Sequence, residues 1–160
     1  LGCAADIEAM IVREGPESVA AVFVEPVQNS GGCFVPPEGY FAAVREICDR
    51  YGVLLILDEV MCGMGRTGSL HACEQEGVVP DLLTIAKGLG GGYQPIGAVL
   101  CSGRIYDTIA GGSGAFEHGF TYIGDEKLRA SMSVGMEDED NYLVEQSDEF
   151  RSIVAELERS

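Results

Sequence analysis

Two residues of this chain combine a reactive type with a telling position. Lys87 follows the apolar run Leu82-Leu83-Thr84-Ile85-Ala86 and precedes the glycine-rich stretch Gly88-Leu89-Gly90-Gly91-Gly92; the sequence holds one other lysine, Lys127. Asp58 closes a second apolar run, Val53-Leu54-Leu55-Ile56-Leu57, and is followed by Glu59. Short apolar runs of this kind read as buried strands. An amine and a carboxylate at the ends of two such strands would share the sheet edge at which open α/β sheets bind ligands. Burial lowers a lysine's affinity for its proton, and a neutral amine can attack an aldehyde and hold it as a Schiff base. A nearby aspartate is the partner a pyridinium nitrogen requires. The pair therefore suggests pyridoxal phosphate. Four apolar residues followed by Asp-Glu would also suit a magnesium site in a nucleotide hydrolase, but that reading needs G-x-x-x-x-G-K-[ST], which the chain lacks.

The elements that must position these residues can be read along the chain. Cys3 to about Arg13 has helical spacing and stops at Gly15-Pro16. Val19 to Val24 is a β-branched run expected to be a buried strand, and Gln28 to Pro37, with its glycines and prolines, a loop. Glu38 to Tyr51 is an amphipathic helix carrying Phe41, Val44, Ile47 and Cys48 on one face, with Gly52 as its C-cap. Strand Val53–Leu57 leads into the loop Cys62–Gly68 and a short helix over about Ser69 to Glu76. Strand Leu82–Ile85 delivers Lys87; a fourth strand covers Ile96 to Cys101 and a short helix Gly103 to Ala110. Strands alternating with helical patterns predict an α/β fold with a mainly parallel sheet.

Composition shifts after Gly124. Residues 125–160 carry eleven acidic and four basic side chains, and form an acidic tail expected to hold a strand at Ala130 to Val134 and a helix from Tyr142 to Arg159. The acidic run Glu137-Asp138-Glu139-Asp140 would favour the positive N-terminal end of that helix. Two parts are thus expected, 1–124 and 125–160.

The whole chain bounds the function further. A length of 160 residues fits one ordinary domain, and 46% apolar residues suffice for a core. No apolar run is long enough to span a membrane. The formal charge of −16 disfavours nucleic acid and anionic membrane as partners. An anionic substrate would need a local positive site such as Lys87 or Arg66. Strong acidity with eight arginines to two lysines fits either adaptation to high salt or the base composition of a genome. Six cysteines without a C-x-x-C pair read as reduced, mostly buried residues of a cytoplasmic protein. The start, Leu1-Gly2-Cys3, has no methionine and no signal-peptide pattern, and reads as the middle of a protein.

Eight motifs then occur in order: Val24-Glu25-Pro26-Val27-Gln28, Pro36-Pro37-Glu38-Gly39-Tyr40, Leu57-Asp58-Glu59-Val60, Gly65-Arg66-Thr67-Gly68, Pro80-Asp81, Ala86-Lys87-Gly88-Leu89-Gly90-Gly91-Gly92, Pro95-Ile96-Gly97-Ala98-Val99 and Glu117-His118-Gly119-Phe120-Thr121-Tyr122. Over about Leu1 to Gly124 the string resembles the class III, or omega-type, aminotransferases of fold type I, the aspartate aminotransferase fold. The resemblance implies a partial fold type I large domain that binds pyridoxal phosphate. It implies transfer of an amino group from an amine or amino acid to a keto acid. Lys87 would be the Schiff-base lysine and proton shuttle, Asp58 the partner of the pyridine nitrogen, and Val60 the residue against the ring face. Thr121 resembles the threonine that reaches the cofactor phosphate of a neighbouring subunit, which implies a homodimer. Glu25 matches a carboxylate of the family's site, or fixes its own Glu-Pro turn. His118 reads as structural, and Arg66 as tying the loop after Asp58 to nearby backbone.

Two departures stand out. Met61 occupies a position where many members have a glutamine touching the ring hydroxyl, and Ser30 one where ornithine- and gamma-aminobutyrate-type members have a glutamate; those two donors are less expected. The family's phosphate cup, its ring-stacking aromatic residue and its C-terminal domain have no counterpart here. The chain is therefore expected to be a fragment, an internally deleted form or a subunit completed by another polypeptide, and to bind cofactor poorly by itself. A cofactor-free partner subunit and an aminomutase or racemase on the same scaffold remain as alternatives.

Overall fold

The computed structural model of the protein describes residues 2–93 and 95–114, and the backbone of two strands at 133–137 and 141–145. The chain divides into two units, Leu1–Val99 and Leu100–Ser160.

In the first unit, α1 (Gly2–Glu14) leads through a single 3₁₀ turn, Pro16–Ser18, into β1 (Ala21–Val24). Val19 and Ala20, expected in this strand, lie before it, because the Val19 amide closes the 3₁₀ turn on Pro16. A loop with an isolated bridge between Gln28 and Phe34 follows, then α2 (Tyr40–Tyr51). Helix α2 starts after Gly39, whose left-handed φ of 79° interrupts the helical path, and ends on Gly52 at φ 66° as its spacing predicts. Strand β2 (Leu54–Asp58) pairs in parallel with β1 on one side and with β3 (Leu82–Ile85) on the other. The registers are Val24↔Leu57 and Asp58↔Thr84.

The core sits between α2 and one face of this sheet. Phe41, Val44, Ile47 and Cys48 of α2 are buried, as are Leu55 and Leu57 of β2 and Leu83 and Ile85 of β3. Strand alternation puts Leu54 and Ile56 on the opposite face, where they are only half-buried. Strand β1 is less buried than its apolar run predicts: Phe23 is 57% exposed. Asp81 binds the sheet at the base of β3. Its Oδ2 accepts hydrogen bonds from the Leu55 amide (2.8 Å) and Arg45 Nη1 (2.8 Å), and Arg45 Nη2 lies 2.7 Å from Asp49. One carboxylate thus ties β2, β3 and α2 together. The expected helix near Ser69–Glu76 is a 3₁₀ helix confined to Ala72–Glu76.

Strand β4 (Ala98–Ser102) leads into the second unit, where α3 (Gly103–Gly111) packs against β5 (Ser133–Glu137). Strand β5 lies parallel to β4 through Cys101↔Gly135 and antiparallel to β6 (Asn141–Glu145). The strand expected at Ala130 to Val134 overlaps β5 at its end. The helix expected from Tyr142 does not begin there: Tyr142–Glu145 belong to β6. Tyr142, Leu143 and Val144 suit a pleated surface, and pairing with β5 overrides the helical spacing. The rest of the expected helix, 146–159, lies outside the described residues. No helix among the described residues is long and apolar enough to cross a membrane.

Candidate active site

Asp58 ends β2 and is half-buried. Its Oδ1 accepts hydrogen bonds from the Val60 amide (2.9 Å) and from the hydroxyl of Thr84 (3.2 Å), its register partner on β3. Two donors on one oxygen fix the direction of the carboxylate. Its Oδ2 has no hydrogen bond among the described residues. Val60 is half-buried and joins this arrangement through its backbone.

Lys87 stands two residues beyond β3 and opens the 3₁₀ helix Lys87–Gly90. Its φ is +48°, a left-handed conformation that costs a non-glycine residue on the order of 1–3 kcal/mol. Such strain persists only where the surroundings impose it, and it concentrates at functional sites. The expectation that Lys87 is buried is corrected: the side chain is exposed, because the strand has ended and the backbone has turned away from the packed face. Its Nζ rests against Sδ of Met61, a weak acceptor.

The loop after β2 joins the two residues. A Cβ on Gly88 would meet Met64 Cβ at 2.7 Å, so Met64 packs against the backbone next to Lys87. Met64 has a left-handed φ of its own, 58°. Arg66 Nη1 donates to the Met61 carbonyl (3.2 Å), the backbone tie expected of it.

Glu59 is the residue that sequence reasoning passed over. It is fully buried, and its carboxylate caps the 3₁₀ helix Ala72–Glu76: Oε2 accepts from the Ala72 amide (2.7 Å) and Oε1 from the Cys73 amide (2.8 Å). His71 Nδ1 lies 3.7 Å from Oε2. Burial by itself pushes the Glu59 carboxyl up. The His71 ring and the Cys73 and Ala72 amides outweigh that and hold it below the ordinary value. Burial, with the Glu59 charge second, pushes the neighbouring Cys73 thiol up to about 12. A signal for Glu59 existed: period-2 alternation aligns it with Leu55 and Leu57, and a carboxylate on a buried face must find donors.

Glu25 lies one residue past the Val24↔Leu57 pair, hence level with Asp58. It is half-buried, and its Oε2 accepts the Asn29 amide (3.2 Å), which braces the turn after Pro26. Thr121 and His118 lie outside the described residues. The structure therefore brings Asp58, Val60, Lys87 and Glu25 to one end of the parallel strands.

Comparison with known proteins finds the following. The model of the class-III aminotransferase family matches residues 2–156. A Mycobacterium tuberculosis protein named a probable aminotransferase is 56% identical over 118 residues, which are 74% of this chain and 25% of that protein. The chloroplastic gamma aminobutyrate transaminase 3 of Solanum lycopersicum is 48% identical over 122 residues, 74% of this chain and 24% of that protein. Among solved structures, an amine transaminase from an uncultivated Pseudomonas species, in its PLP-bound (internal aldimine) form, superposes with a TM-score of 0.71 at 45% identity, covering 76% of this chain and 28% of that one. This chain spans about a quarter of the length of the curated relatives it matches. The fold is the α/β fold of these transaminases, fold type I.

Proposed function

From the premise that this chain belongs to the class-III aminotransferase family, we propose that it carries the cofactor-anchoring residues of a pyridoxal phosphate-dependent aminotransferase. Its residues fit that group. Asp58 offers an oriented carboxylate with one oxygen uncommitted, and Lys87 offers a primary amine at the same end of the neighbouring strand. That juxtaposition, set by the Asp58↔Thr84 register, is the observation that carries the reading.

Asp58 would hold the pyridine nitrogen, Lys87 the aldehyde carbon, and Val60 one face of the ring. When bound, the cofactor supplies an electron sink through which an amino group leaves a donor and later joins a keto acid. Lys87 Nζ would take the proton from the donor carbon and deliver it to the carbon that had been the cofactor's aldehyde, a general acid–base role that needs an amine able to swing between two positions. Its exposed chain and weak sulfur neighbour leave it free to do so. Against a net charge of −16, Lys87 and Arg66 provide the local positive field for a carboxylate substrate.

The reading extends to the assembly. Residues 1–124 would form part of the large domain of a homodimer, with Thr121 serving the phosphate of the neighbouring subunit, and 125–160 an acidic tail. The six cysteines are all unpaired, which suits a reducing cytoplasm. The donor is an amine or amino acid. Ser30 weighs against gamma-aminobutyrate, and the tomato relative makes that compound the necessary comparison in any donor screen.

The test is reductive labelling. The protein is treated with pyridoxal phosphate and borohydride, and its peptides are mapped. The label is expected on Lys87. Label on Lys127 or the N-terminus alone would overturn the assignment.

A further inference from the structure

Glu59 has no place in the chemistry above, yet it is among the most buried side chains of the described residues and the only buried carboxylate among them. Among the described residues no arginine or lysine forms an ion pair with it; its charge is met by two backbone amides, by His71 and by the Cys73 thiol. Two further bonds converge on the same residue. Its amide donates to the Thr84 carbonyl (2.9 Å), which locks the end of β2 to β3 where Thr84 also holds Asp58. Its carbonyl accepts from the Gly63 amide (2.9 Å). Gly63 is so close that a Cβ there would lie 2.8 Å from that carbonyl oxygen. Glu59 therefore grips the loop at its start, through Gly63, and at its end, through Ala72 and Cys73. Between these anchors run Met64, packed on Gly88, and Arg66, bonded to Met61. Met61 in turn touches Lys87.

We propose that Glu59 is a positioning residue. It pins both ends of the Val60–His71 loop, the start through its backbone carbonyl and the end through its carboxylate, and thereby holds the Lys87–Gly88 backbone in register with Asp58. The proposal rests on the reading of Asp58 and Lys87 given above. A buried carboxylate suits this task because charge-assisted bonds to amides are short, strong and directional, and because losing one leaves a buried donor unsatisfied. A loop with its ends pinned so closely transmits the position of its middle. Substrate and cofactor need never touch Glu59.

The experiment compares the parent protein with Glu59→Gln and Gly63→Ala. Glutamine keeps one acceptor oxygen but turns an NH₂ donor toward the second amide. Alanine at 63 leaves the carboxylate intact and pushes the loop away. Two readouts are taken: amide hydrogen exchange without cofactor, and the pyridoxal phosphate concentration that half-labels Lys87 on reduction. Both variants are expected to exchange faster across 60–73 while α2 and β1 keep parental protection. Half-labelling is expected to need about tenfold more pyridoxal phosphate, the equivalent of one charge-assisted bond. Unchanged exchange in the loop would overturn the proposal. So would faster exchange that spreads through α2, or an open loop with parental labelling of Lys87. If the parent itself fails to label at Lys87, the functional reading falls, and the exchange pattern still decides whether Glu59 holds the loop.

Discussion

At the residue scale, the two oxygens of Asp58 divide the labour. Oδ1 serves the fold by accepting from Val60 and Thr84, and Oδ2, without a hydrogen bond among the described residues, is the oxygen proposed to face the ligand. Asparagine in its place can keep the first role through its amide oxygen but carries no charge for the second. Asp58→Asn is therefore expected to melt within a few degrees of the parent while the amine half-reaction slows by about a hundredfold or more, the usual loss on removing one preorganised electrostatic partner. Thermal melting and single-turnover kinetics on the two proteins check this. A variant that deprotonates donor at the parental rate would show that Asp58 has another role. Lys87 illustrates what residue type alone could not tell. Its place after β3 was readable from the apolar run, but its left-handed backbone and exposure depend on Met61, Met64 and Gly88, which come from two separate stretches of chain.

At the scale of elements, apolar spacing identified α1, α2, β1 to β4 and α3, because those signals are local. Boundaries moved where caps decided them: Gly39 delays α2, and the turn on Pro16 delays β1. The segment after Tyr142 was misread because a five-residue strand with apolar residues also satisfies part of a helical stripe, and only its partner strand distinguishes the two. The role of Asp81 was equally hidden in the Pro80-Asp81 motif. Asp81→Ala would leave the Leu55 amide and a partly buried Arg45 without this acceptor, at a cost of about 2–4 kcal/mol. Urea denaturation should show that loss as a lowered midpoint with an unchanged slope. Glu59 gives a pH dependence. Its folded-state carboxyl lies below the ordinary value of 4.5, so it contributes stability that is complete above that pH and fades as pH falls through the lower, folded-state value. The stability gap between the parent and Glu59→Gln is therefore expected to be constant near neutrality and to narrow below about pH 4.5. A gap that widens on acidification would contradict the sign of the shift.

At the scale of the whole molecule, charge and apolar surface oppose each other. The chain carries −16, while Phe23, Phe34 and Val35 are 57%, 62% and 74% exposed. Self-repulsion reaches about 30 Å at 0.01 M salt but only a few ångströms at 1 M. Sedimentation of the protein is therefore expected to show association rising with salt, as apolar contact takes over from screened charge. Association that falls with salt would point to ionic contacts instead. The parallel register carries a last consequence, in time rather than in space. Asp58 and the Thr84 hydroxyl that steadies it are 26 positions apart, and parallel strands cannot be joined by a tight hairpin. Helix α2 can form from neighbours in sequence, but the carboxylate acquires its orientation only after a long loop has closed and β3 has docked. The orientation of the Asp58 carboxylate thus arrives with the strand pairing itself, and any ligand it is proposed to hold must wait for that step.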